Sequence, residues 1–163
     1  MKENDPKKDI VILIAEDEKG HFLLTKRYLR KLGIRNKIIR LKDGQDTLDF
    51  LCGNGQALPA DIGKKHLLLL DIHMPRVDGI AVLERIRKDQ RLQDMPVVML
   101  TTSESHHEME SCHAFGCNAY IVKPLKYESY IATMRKIGLF PSLVRDGFML
   151  IPKETAPKEN AGV

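Results

Sequence analysis

The chain has 163 residues, 43% of them hydrophobic and 29% charged, with a formal net charge of +4 and three cysteines. This balance supports one globular core, and the positive excess is too small and dispersed to indicate nucleic acid as a direct partner. Sparse, odd-numbered cysteines (Cys52, Cys112, Cys117) argue against a disulfide framework and fit a reducing cytoplasm, and the first apolar run, Ile10–Ala15, is six residues against about 20 for a membrane span, so a cytoplasmic protein without a membrane anchor is expected.

Ile10–Ala15 is rich in branched residues and ends in Glu16-Asp17-Glu18. A short, wholly apolar run predicts a strand buried on both faces, in a parallel sheet covered by helices. Leu24, Tyr28 and Leu32 follow at four-residue spacing, with Lys26, Arg27, Arg30 and Lys31 between them: an amphipathic helix, stopped by Gly33. Lys37–Leu41 is the second strand. Leu48, Leu51 and Cys52 mark one face of a short helix ending at Gly53-Asn54-Gly55, and Gly53–Lys65 reads as a loop. Leu67–Leu70 is a third buried strand, ended by Asp71. Met74-Pro75 and Asp78-Gly79 punctuate the turn before a helix with Ile80, Leu83 and Ile86 at helical spacing. Pro96–Leu100 is the fourth strand, ended by Thr101-Thr102-Ser103. A helix over Glu104–Phe115 then carries Met109 and Cys112 one turn apart, closed by Gly116. Ala119–Val122 is the fifth strand, ended by Lys123-Pro124, and Tyr127, Tyr130, Ile131 and Met134 form the inner face of a last helix that stops near Gly138.

Five alternations of strand and helix predict a doubly wound α/β fold, a five-stranded parallel sheet with helices on both faces. The folded domain is expected over residues 9–140, after a tail at 1–8. A partly disordered tail at 141–163 carries an apolar patch, Phe148–Ile151. Ligands of such sheets bind outside the carboxyl ends of the strands. The polar residues at those ends are Glu16 and Asp17, Asp71, Thr101 and Lys123. Three carboxylates converging there would repel one another unless one is protonated or a cation joins them. Oxygen ligands favour a hard ion such as Mg²⁺, which binds one or two carboxylates and keeps several waters. A Mg²⁺ site beside a carboxylate suits phosphoryl transfer, with Lys123 as a point charge and the Thr101 hydroxyl as a donor to the phosphoryl oxygens.

These residues resemble the receiver domain of two-component response regulators from about Asp9 to Leu139. The matching pieces are Glu16-Asp17, the block Asp71-Ile-His-Met-Pro-Arg-Val-Asp-Gly79, Met99-Leu-Thr101 and Tyr120-Ile-Val-Lys-Pro124, in order and each after a predicted strand. The resemblance implies a flavodoxin-like strand order, 2-1-3-4-5. It implies that Asp71 accepts a phosphoryl group from a sensor histidine kinase or a histidine phosphotransfer protein. Mg²⁺ or Mn²⁺ would be bound by Asp17, Asp71 and the backbone carbonyl of His73, with Glu16 acting largely through water. The peptide before Pro124 would be cis. On phosphorylation the Thr101 hydroxyl would be drawn inward and Tyr120 would turn from exposed to buried, changing the surface offered to a downstream protein target. A homodimer through the fourth helix, fifth strand and fifth helix is also expected. His73 and Thr102 depart from the family's commonest pattern, and both are expected to crowd the phosphoryl group. Leu100-Thr-Thr-Ser103 and the long loop before the third strand resemble the single-domain regulators that partner bacterial phytochromes.

Two other classes compete. A dehalogenase-type phosphohydrolase would carry a second Asp two residues after its nucleophile, where this chain has His73. A flavin-binding domain would want a hydroxyl- and Gly-rich loop after the first strand, where this chain has Glu16-Asp17-Glu18-Lys19. His106, His107, Cys112, His113 and Cys117 match no common zinc spacing, and the basic residues of the first helix suit equally a solvated face and, by the resemblance, a kinase-docking face.

Overall fold

Side chains alternate between the two faces of a strand, and every residue of β1 (Val11–Ala15) is buried. That strand therefore needs cover on both sides. The computed structural model describes residues 10–31, 33–53 and 66–123. Beside β1 run β2 (Ile38–Leu41), β3 (His66–Leu70), β4 (Val97–Thr101) and β5 (Ala119–Val122), all parallel, in the order β2-β1-β3-β4-β5. This is the expected doubly wound order. It puts the reversal of winding between β1 and β3, which are directly paired.

The helices are α1 (Lys19–Lys31), α2 (Gly44–Cys52), α3 (Gly79–Lys88) and α4 (His106–Ala114). On one face Val11, Leu13 and Ala15 pack with Leu48 and Leu51 of α2, Val82, Leu83 and Ile86 of α3, and Met109 and Cys112 of α4. On the other, Ile12 and Ile14 pack with Tyr28 and Leu29 of α1. The starts of α2, α3 and α4 have a local cause. Asp43, Asp78 and Ser105 accept hydrogen bonds from the backbone N–H groups of Asp46, Ala81 and Glu108, satisfying donors that a first turn leaves open. Ser105 with Glu108 three residues on is why α4 starts at His106 rather than at Glu104, and it ends at Ala114, one residue short of Phe115. The buried stripe of α1 is Thr25, Tyr28 and Leu29, with Leu24 only half-buried. A strict four-residue row drifts around a helix of about 3.6 residues per turn, so Leu24 falls beside the covered stripe.

The expected last helix, both tails, the patch Phe148–Ile151, Leu32, the loop from Asn54 to Lys65 and the peptide before Pro124 lie outside the described residues. No helix among the described residues is long and apolar enough to cross a membrane.

The register brings the carboxyl ends of the strands level. Ala15 pairs with Leu41 and Leu70, Leu70 with Met99, and Thr101 with Val122. Ladder bonds continue one residue further, from Glu16 N–H to the Leu41 carbonyl (3.0 Å) and from Asp71 N–H to the Ala15 carbonyl (3.1 Å). The rim residues are thus held by the sheet itself. Behind the rim, two glycines allow backbone to approach backbone. A Cβ on Gly44 would sit 1.9 Å from the Val77 carbonyl oxygen, and one on Gly79 would sit 2.0 Å from that of Asp71. Gly79→Ala is therefore expected to destabilise the fold by about 1–3 kcal/mol, because the rim backbone must move. Gly20→Ala, with open space around it in α1, should be neutral or stabilising. Urea unfolding midpoints of the two variants test the contrast.

Candidate functional site

Carboxylate oxygens of Glu16, Asp17 and Asp71 lie within 4.8 Å of one another, as the rim positions of β1 and β3 require. Glu16 is 3% exposed and Asp71 8%. Two strands away, Lys123 is also buried. Its ammonium donates to Glu16 Oε2 and lies 3.6 Å from Asp71 Oδ2. Burial pushes the Glu16 carboxyl above its usual range, against the opposing pull of the Lys123 ammonium. Its other oxygen, Oε1, accepts from the Glu18 N–H at 3.1 Å. Asp71 differs: its Oδ1 is buried and accepts no hydrogen bond. An orphaned carboxylate oxygen beside two more carboxylates, opposed by one ammonium, is a donor set suited to a hard divalent cation.

Thr101, at the end of β4, is fully buried, and its Oγ1 accepts from the Ser103 N–H at 3.2 Å. Tyr120 on β5 is buried too, and its hydroxyl donates to the Ser103 carbonyl at 3.1 Å. Burial raises that phenol to about 12. The ring is thus already inside in this structure, where the resemblance implied an exposed-to-buried turn. Both residues grip Ser103.

His73 does not stand alone above Asp71. Its side chain is open to solvent, with Nε2 3.2 Å from Glu108 Oε2 on α4; Thr102 is exposed. Among the described residues, His113 Nδ1 and Cys117 Sγ approach to 3.7 Å, but the acidic trio is the group of three whose ligand atoms converge.

Sequence reading missed the arginines around this rim. Arg76, in the β3–α3 loop, has φ 68°, a left-handed conformation rare outside glycine. Its Nε and Nη2 donate to both oxygens of Asp43, at 2.9 and 3.0 Å, and Nη2 reaches Asp46 at 3.1 Å. This clasp ties the loop carrying His73 to the start of α2. Arg40 of β2 donates to the carbonyls of Glu16 (3.2 Å) and Asp17 (2.8 Å).

Comparison with known proteins decides the family. The family model for the response regulator receiver domain matches residues 12–135. The chain belongs to the response regulator receiver family. It is 36% identical over 140 residues to the probable methanogenesis regulatory protein FilR2 of Methanothrix harundinacea, covering 84% of each chain. To the response regulator Rcp1 of Synechocystis it is 33% identical over 138 residues, 85% of this chain and 91% of Rcp1. The crystal structure of the Mn(2+)-bound form of Rcp1 superposes with a TM-score of 0.70, covering 86% of this chain and 97% of that one at 28% identity. The bacteriophytochrome response regulator RtBRR matches with a TM-score of 0.60 at 32% identity, covering 80% of this chain and 78% of its own. The receiver fold expected from the sequence is therefore the one present, and the acidic trio stands at the reversal of its strand order, beside β1 and β3.

In this receiver domain the Arg76 clasp makes a testable claim on acid stability. Desolvation pushes the Asp43 carboxyl up, but hydrogen bonds from the Asp46 N–H and from Arg76 outweigh it and hold it below the usual aspartate range. A depressed carboxylate adds stability above its unfolded pKa, and that stability is lost as pH falls through the folded one. Arg76→Gln should therefore be less stable than wild type at pH 7, with the gap closing below about pH 4. Denaturant midpoints measured across pH check this; a constant gap would remove Asp43 as the partner.

Proposed function

We propose that Asp71 is the phosphoacceptor of this receiver domain. On this reading Mg²⁺, or Mn²⁺, is held by Asp17, Asp71 and the backbone carbonyl of His73, with Glu16 acting through water. The observation that carries it is the buried, unpartnered Oδ1 of Asp71, set among converging carboxylates and within 3.6 Å of the Lys123 ammonium through its other oxygen. Support for an indirect role of Glu16 comes from its oxygens, both already engaged, one by Lys123 and one by the Glu18 N–H. The Mn(2+)-bound form of the relative Rcp1 is in keeping with a divalent ion here.

In the reaction an Asp71 carboxylate oxygen bonds to phosphorus while the P–N bond of a donor phosphohistidine breaks. The electron pair returns to the imidazole nitrogen. When bound, Mg²⁺ offsets charge on the transferred oxygens. Lys123 supplies a fixed positive charge beside Asp71, and the Thr101 hydroxyl, whose oxygen accepts from Ser103, keeps its own proton to donate to a phosphoryl oxygen. Movement of Thr101 toward that oxygen weakens its hold on Ser103, whose carbonyl anchors Tyr120. A local charge event thus biases the packing of β5 against α4. Water attack on the phosphorus of the acyl phosphate breaks its bond to the Asp71 oxygen, releases inorganic phosphate and returns the free carboxylate, so on this reading the domain catalyses its own phosphorylation and dephosphorylation.

The donor is proposed to be a histidine kinase of the phytochrome kind or a phosphotransfer protein, by the likeness to RtBRR. The output passes to a downstream protein target. Incubation with Mg²⁺ and acetyl phosphate, read by intact mass, tests the assignment. Wild type should gain one phosphoryl group, Asp71→Asn none, and a chelator should abolish the gain. An equal gain in both proteins would remove Asp71 from the role.

A further inference from the structure

The acidic pair is useful only if its backbone points both carboxylates at the same spot, against the repulsion of like charges; Lys123 and the Glu18 N–H hold the Glu16 carboxylate itself. Glu16 and Asp17 leave the end of β1 in a bend before α1 begins at Lys19. Their own carbonyl oxygens have passed beyond the last strand residues, so neither is held by the sheet ladder. Both are held instead by a single side chain. Arg40, third residue of β2 and in register with Ile14, donates its Nε to the Glu16 carbonyl at 3.2 Å and its Nη2 to the Asp17 carbonyl at 2.8 Å. Its guanidinium carbon lies 5.7 Å from the centre of the Phe22 ring of α1, close enough for a cation–π contact that restrains the planar group. Three elements therefore meet on this guanidinium: β2 through its backbone, α1 through Phe22, and the acidic bend through two carbonyls. Arg40 is the one charged residue of β2, whose other members are Ile38, Ile39 and Leu41.

We propose that Arg40 is a positioning residue of the metal site, fixing the backbone of Glu16 and Asp17 so that their carboxylates converge with that of Asp71. The inference rests on the reading that the acidic trio binds a divalent cation. Lysine cannot replace Arg40 fully, because one ammonium on a flexible stem does not reproduce a planar fork aimed at two oxygens. Two physical effects act in opposite directions on substitution, which makes the claim sharp. Removing a positive charge near a cation site, taken alone, tightens cation binding. Releasing the bend that carries two of the carboxylates weakens it. Loss of partners that orient metal ligands typically lowers affinity about 10–100-fold, so positioning should win.

The test is Mn²⁺ titration of the folded protein, with free ion followed by electron paramagnetic resonance, for wild type, Arg40→Gln, Arg40→Lys and Asp71→Asn. Circular dichroism confirms folding of each. Wild type should bind one ion and Asp71→Asn should bind it more weakly. Arg40→Gln should bind about 10–100-fold more weakly than wild type, with Arg40→Lys between them. Acetyl phosphate-driven phosphorylation of Arg40→Gln should approach the wild-type rate when Mn²⁺ is raised to saturation, as expected for a lesion in metal binding alone. Wild-type or tighter affinity in Arg40→Gln overturns the positioning role while leaving the metal site intact. Absence of binding in wild type overturns the metal reading and this inference with it. Should Arg40→Gln fail to fold, Arg40→Lys decides: affinity equal to wild type refutes the role of the fork, and weakened affinity supports it.

Discussion

Like charges at close range under low exposure dominate the energetics at this rim. Glu16 and Asp71 are nearly buried, Asp17 joins them within 4.8 Å, the Lys123 ammonium enters the pocket with the opposite sign, and the His21 imidazole stands 3.8 Å from Glu16 Oε1. One ammonium against three carboxylates leaves the group short of positive charge. Burial answers part of this by raising the Glu16 carboxyl, and the rest is what makes the site receptive to a divalent cation. The same imbalance argues against the flavin-binding alternative, since a phosphate brought to this acidic bend would meet repulsion rather than open backbone N–H groups.

Holding such a cluster together requires rigid support. The sheet supplies the first layer: Glu16 and Asp71 are each tied by a backbone N–H to the last residue of a neighbouring strand. Close backbone approaches at Gly44 and Gly79 supply the second, pressing the β3–α3 loop against α2 and the Asp71 carbonyl. Arginines supply the third, with Arg76 fastening that loop to Asp43 and Arg40 fastening the acidic bend to β2 and α1. On the far side, Ser103 links Thr101 to Tyr120 through its two backbone groups. A change at the hydroxyl of Thr101 thus has a short route, two hydrogen bonds bridged by Ser103, to the aromatic ring packed beside α4.

His73 and Glu108 add a contact between the β3–α3 loop and α4 at 3.2 Å. The His73 side chain is open to solvent and its Nε2 meets a residue of α4, a helix that follows well after it in the chain.

What the sequence alone determined is the alternation of buried strands and helices, and with it the set of polar residues that must emerge at one end of a parallel sheet. Those follow from short-range rules: apolar runs too short to be helices, glycine and proline at the turns, and a polar residue after each run. Glu16, Asp17, Asp71, Thr101 and Lys123 could be named because each ends a strand or follows one within two residues. Tertiary structure alone decided which of them pair, that Lys123 is held by Glu16, that Asp71 keeps a free oxygen, and that Tyr120 lies inside. It also decided the roles of Arg40 and Arg76, because a guanidinium on a long stem finds its acceptors by proximity across elements, and no spacing along the chain encodes that meeting.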